Sequence, residues 1–146
     1  MPRYFTHTQA EALVRRLDPL LREAIGLKAE HEEAEQQLRT ALHRVTMMGG
    51  VEIDREAFLE QRARREVSAT RLKDALEQIQ QSGCLVKDLD TGLLDFPTLF
   101  RGEEVYLCWR VGEKGIAFWH KVEDGFRGRK LIDQEFLDNH QGDVPN

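Results

Sequence analysis

Two cysteines in 146 residues, Cys84 and Cys108, are too few for a disulfide framework. In a reducing compartment their default state is a buried thiol. No apolar run approaches the roughly 20 residues that a membrane-spanning helix needs. The opening MPRYFTHTQAEAL lacks the apolar stretch of a secretion signal, so a cytoplasmic protein is expected. Basic residues are in deficit, with 21 Lys and Arg against 26 Asp and Glu, a net charge of −5. That balance argues against nonspecific nucleic-acid binding, which needs a basic surface. A nucleic-acid accessory role would have to rest on the local cluster Arg62, Arg64 and Arg65. Proline is scarce as well, four in all, which leaves room for long uninterrupted helices.

Such helices are written into the first half. Thr6 with Gln9 forms a capping box, and Phe5 is placed to staple against Ala10; Thr8 with Glu11 offers the same box two residues on. Positions 13, 17, 20, 24, 27, 31, 34, 38, 41, 45 and 48 then form a four-three seam, mostly Leu and Ala. The seam passes Pro19 in register, so one kinked helix over 8–48 is expected. Met48-Gly49-Gly50-Val51 breaks it, Asp54 caps a second helix over 54–82, and Gly83 ends that helix in a left-handed conformation. The second seam runs 58, 62, 65, 69, 72, 76, 79. A tight turn at Gly49-Gly50 predicts an antiparallel, coiled-coil-like hairpin that pairs Leu38 with Arg65 and Leu27 with Leu76. Its distal half is thin in large apolar residues, so a homodimer with a four-helix assembly is expected, and Leu38→Asp should weaken it.

From Cys84 the period changes to two. Cys84–Asp90 and Leu93–Phe96 read as one hairpin around Thr91-Gly92. Val105–Val111 and Ile116–Val122 read as a second around Glu113-Lys114. The second pairs Trp109 with Phe118, Cys108 with Trp119 and Leu107 with His120. His120 then lies on the helix-facing side with Trp109, away from Cys108. Pro97 suits an edge strand, and the polar residues after Leu137 read as a frayed end. The fold class is therefore α+β, a helical hairpin over 1–83 followed by an antiparallel sheet of about four strands and a tail over 84–146.

KDLDTGLLDFP, LCWRVGE, FWH and DGFRGR together resemble the signature of a bacterial family of domains of unknown function, twenty-two-oh-three in that series. The resemblance covers nearly the whole chain and implies an α+β domain. It implies no activity and supplies no catalytic residues.

The residues themselves offer four constellations. A two-residue turn at Thr91-Gly92 sets Asp88 opposite Asp95 with Asp90 on the same side, and clustered carboxylates suit a hard divalent cation. The plainer reading is a solvated outer face, with Arg127 or Arg129 of the DGFRGR loop as partners. Asp90-Thr91-Gly92 also matches the aspartic-protease tripeptide, but it reads naturally as the hairpin turn. His120, Cys108, Cys84 and Glu113 are metal or nucleophile candidates without a close ligand pair such as C-x-x-C. With Trp109, Trp119 and Arg127, His120 and Cys108 would line a ligand pocket on the sheet. His31, Glu32 and Glu35 lack the second histidine of a zincin, so His31 reads as a register-setting residue in the seam. Arg62 and Arg65 face Glu30, Glu33 and Glu35 as inter-helix ion pairs. The expectation is a homodimeric interaction or scaffold protein with a pocket on its sheet. Its rivals are a metal-dependent hydrolase built on the three aspartates and a nucleic-acid accessory protein.

Overall fold

Helix α1, His7–Met47, begins where the capping box places it. Thr6 Oγ1 accepts from the Gln9 amide at 3.1 Å, and Gln9 Oε1 accepts from the Thr6 amide at 3.0 Å. In the computed structural model, which describes residues 3–47 and 54–143, α1 continues through Pro19. Helix α2, Arg55–Gln81, starts at Asp54, whose carboxylate accepts from the Ala57 amide at 3.1 Å. It ends at Gly83, where φ is +97° and an added Cβ would press on Arg3 and Phe5. The Gly49-Gly50 turn lies outside the described residues.

The chain forms two compact units, Met1–Arg22 with Leu76–Asn146, and Glu23–Ala75. The first part of α1 and the last part of α2 share a unit, so the helices run antiparallel. Each buried stripe keeps part of the expected seam, Leu17, Ala24, Leu27, Ala34 and Leu38 on α1 and Ile79 on α2, and departs from it elsewhere. On α1 the buried stripe is Ala10, Val14, Leu17, Leu21, Ala24, Leu27, Ala34 and Leu38, so Leu13 and Leu20 lie beside it. Two steps of three follow one another at Leu21, Ala24 and Leu27, because a 3.6-residue helix does not keep a strict seven-residue seam without local adjustment. On α2 Ile79 is buried as expected, while Ser68 and Ala75 are buried in place of Ala69 and Leu76.

Within Glu23–Ala75 the helix register sits one heptad from expectation. His31, rather than Leu38, meets Arg65, with its Nδ1 donating to the Arg65 carbonyl at 3.1 Å. The inter-helix ion pairs belong to Arg64, which reaches Glu30 at 3.2 Å and Glu33 at 3.3 Å. Arg62 pairs along its own helix with Glu66, and Glu35 pairs with His31.

The sheet has six strands, β1 Leu85–Asp88, β2 Leu93–Phe100, β3 Glu103–Arg110, β4 Phe118–Lys121, β5 Lys130–Leu131 and β6 His140–Gln141. They run antiparallel in the order β1-β2-β3-β4-β5, and β6 pairs with the far end of β2. Pro97 sits in the gap between β1 and β6, where its carbonyl accepts from the Phe5 amide at 2.7 Å and no ladder donor is required. Leu94, Phe96, Leu107, Trp109 and Trp119 share one face of the sheet and are buried there. Phe5 meets Phe96 edge-on at 5.6 Å.

The tail belongs to this core. Helix α3, Gln134–Asn139, is capped by Asp133, which accepts from the Phe136 amide at 2.8 Å. It sets Phe136 against Phe100 and Trp119, with ring centroids 4.8 and 4.9 Å away. The fraying expected after Leu137 does not occur through Gln141, since His140 and Gln141 pair with β2.

Candidate metal centre

Register decides which side chains of the sheet meet. The connection from β3 to β4 spans 111–117 and holds a turn closed by the Glu113 amide on the Arg110 carbonyl at 3.0 Å. A connection of this length pairs Tyr106 with His120, Leu107 with Trp119 and Cys108 with Phe118, one residue away from the two-residue-turn register. A one-residue slip turns every side chain of the strand to the other face. His120 therefore leaves the side of Trp109 and joins Cys108. β2 pairs Asp95 with Cys108, which brings the carboxylate to the same side.

The result is a buried trio on three adjacent strands, Asp95, Cys108 and His120, whose ligand atoms all lie within 4.8 Å of one another. Asp95 is 1% exposed, Cys108 0% and His120 3%. His120 Nδ1 donates to the Lys121 carbonyl at 2.7 Å, which leaves Nε2 facing both Asp95 oxygens at 3.1 Å. The Tyr106 ring packs edge-on against the imidazole at 5.6 Å.

Burial dominates the electrostatics. It lifts the Asp95 carboxyl above the ordinary carboxylate range, while the facing His120 pulls it back. It pushes the Cys108 thiol up to about 12, with the Asp95 charge adding to the effect. Cys84, buried against the Ile79 carbonyl at 3.6 Å, is pushed up to about 11. Burial thus disfavours the thiolate form of both.

Arg129 closes one side. Its guanidinium lies over Phe118 at 3.9 Å and Phe126 at 4.2 Å, with Nη1 4.0 Å from Cys108 Sγ. Glu113 holds it through two bonds of 3.0 and 3.1 Å, and accepts from the Arg110 amide at 2.6 Å. Glu113, a ligand candidate by residue type, is the anchor of this clasp.

The other expected groupings do not form. A bulge between Val86 and Asp88 and a four-residue loop set Asp88 opposite Leu93 and Asp95 opposite Leu85. Asp88 and Asp90 are exposed, with Asp88 accepting from the Asp90 amide at 3.0 Å, so Asp95 alone of the three enters the buried cluster. The proposed pocket is divided by the sheet. Trp109 and Trp119 lie on one face, His120 and Cys108 on the other, and Arg127 is exposed. Of the cluster Arg62, Arg64 and Arg65, Arg62 pairs with Glu66 and Arg64 with Glu30 and Glu33. Among the described residues, no helix is long and apolar enough to cross a membrane.

The family model described as "Uncharacterized conserved protein (DUF2203)" matches residues 3–132, a span that contains all three residues of the trio. No curated protein and no solved structure matches the chain.

Proposed function

We propose, for a chain that belongs to the uncharacterised DUF2203 family, that Asp95, Cys108 and His120 bind a divalent transition metal of the zinc class. The observation that carries the reading is the orientation of His120. Its Nδ1–H is committed to a backbone carbonyl, so the Nε2 lone pair points at a carboxylate and a thiol. That is how metal-bound histidines are held, with the second nitrogen fixing the tautomer. Ligand atoms around a tetrahedral zinc stand roughly 3.3–3.8 Å apart, given bonds of about 2.0–2.3 Å, which the 4.8 Å cluster can meet by small adjustments. Charge agrees as well. One carboxylate, one thiolate and a neutral imidazole neutralise a divalent ion, and a buried site favours neutrality.

Ligand softness sets the choice of ion. Thiolate and imidazole select zinc and its neighbours, whereas magnesium and calcium take oxygen ligands. Three protein ligands leave one position open. A water there is the usual arrangement of zinc hydrolases, so a hydrolase reading rests on this centre, with the Arg129 clasp over it, and no longer on the Asp88, Asp90, Asp95 set.

Calorimetric titration with zinc is expected to give one ion per chain. At a thousandfold excess over Kd the ion should add about 4 kcal/mol of stability. Cys108→Ser and His120→Ala should each lose at least tenfold in affinity, and Asp88→Asn with Asp90→Asn should lose none. Zinc binding that survives both Cys108→Ser and His120→Ala would refute the assignment.

A further inference from the structure

The three donors of the trio come from one face of the sheet, from β2, β3 and β4. A tetrahedral ion held by them turns its fourth position away from the sheet, toward whatever covers that face. Two cations stand on that face, at opposite edges of the trio. Arg129 comes from the segment just before β5, beyond β4. Lys87 comes from β1, on the far side of β2.

Aromatic rings place both. The Arg129 guanidinium lies over Phe118 and Phe126, and Glu113 accepts from both of its terminal nitrogens. A guanidinium carries five N–H groups, so donors remain, and Nη1 also reaches Cys108 Sγ at 4.0 Å. The Lys87 ammonium lies over the Tyr106 ring at 4.9 Å, and that ring packs edge-on against His120. Burial lifts the Asp95 carboxyl, and Lys87 is among the groups whose charge pulls it back.

Charge selects the ligand. Asp95 and a Cys108 thiolate cancel a divalent ion, and Glu113 cancels Arg129. Lys87 leaves one positive charge beside the trio. Glu104 shares the face but stands four residues from Cys108 along β3, beyond Tyr106. One uncompensated cation favours a ligand with one negative charge. A carboxylate has that charge, and its two oxygens can divide between an ion and an N–H donor. Resting on the metal centre above, we propose that its open position takes the carboxylate group of a small-molecule substrate, with Arg129 and Lys87 as the recognising cations.

The Co²⁺-loaded protein tests this, with acetate and sulfate as probes at constant ionic strength. The visible d–d bands of cobalt report a change in its ligands. Acetate should shift them to saturation, and sulfate, a tetrahedral dianion, should bind more weakly. Arg129→Gln should weaken acetate about tenfold. Lys87→Gln, at an exposed position, should weaken it about threefold, and Lys87→Arg, which keeps the charge, should match the wild type. Should Arg129→Gln fail to fold, the two Lys87 variants carry the test. The sulfur-to-metal charge-transfer band is read in the same samples. A wild type that has this band but whose visible bands ignore acetate refutes the carboxylate site and leaves the metal centre standing. Acetate affinity unchanged by the Gln variants, or tighter binding of sulfate, also overturns the proposal. A wild type without the sulfur band refutes the metal centre itself, and this inference with it.

Discussion

Replacing His120 with alanine should lower the stability of the metal-free protein by about 3–5 kcal/mol. The imidazole is 3% exposed and bonded at both nitrogens, to the Lys121 carbonyl and to Asp95. Its loss leaves a cavity, but the larger part of the cost falls on Asp95. That carboxyl is 1% exposed and already displaced from its ordinary range by burial. Without His120 it loses the group that offsets the displacement. Denaturant unfolding in the presence of a chelator reads the effect. Replacing both partners with leucine should recover most of the loss, because no polar group is then stranded. A single-variant loss under about 1 kcal/mol would show that the pair is hydrated and energetically idle.

Phe136→Ala should cost a comparable amount, about 3–5 kcal/mol, the usual range for emptying a buried aromatic site. Phe136 is 1% exposed and stacked nearly parallel to Phe100 and His140, with Trp119 tilted against it. Three supports hold it in place. Asp133 caps α3, Arg101 pairs with Glu135, and the Arg101 amide donates to the Asn139 carbonyl. A loss under about 0.5 kcal/mol, as at an ordinary surface position, would mean that the segment frays as its polar composition suggests.

The difference between these two sites shows what sequence can and cannot supply. Both helices were readable because caps and periodicity are local. Thr6 with Gln9, Asp54 and Gly83 act where the pattern puts them. Asp95, Cys108 and His120 were each readable as chemistry-bearing residues, yet their grouping was not. Grouping depends on strand register, and register depends on loop length. Two-residue turns fit the residues at both hairpins, but the chain uses four residues in one and seven in the other. One residue of slip sent His120 to Cys108, and the bulge after Val86 separated Asp95 from Asp88. Phe136 was missed for another reason. It is a single aromatic in a six-residue helix beside a two-residue strand, elements too short to carry a period.

The geometry also separates the two thiols. Cys108 faces the carboxylate and imidazole, whereas Cys84 faces the end of α2. Because the Cys108 thiol is pushed up to about 12, metal binding must expel its proton, so affinity should rise with pH. A hard-ion site built from carboxylates alone would show little of this dependence near neutrality.

Cobalt makes the distinction visible, since a thiolate bound to Co²⁺ gives a sulfur-to-metal charge-transfer band in the near ultraviolet. Titrating Co²⁺ into the wild type, Cys84→Ser and Cys108→Ser tests the centre directly. The band should grow to saturation at one ion per chain in the wild type and in Cys84→Ser, and be absent from Cys108→Ser. A wild type without the band, or a band that disappears with Cys84 and survives the loss of Cys108, would contradict the assignment of Asp95, Cys108 and His120 as a metal centre.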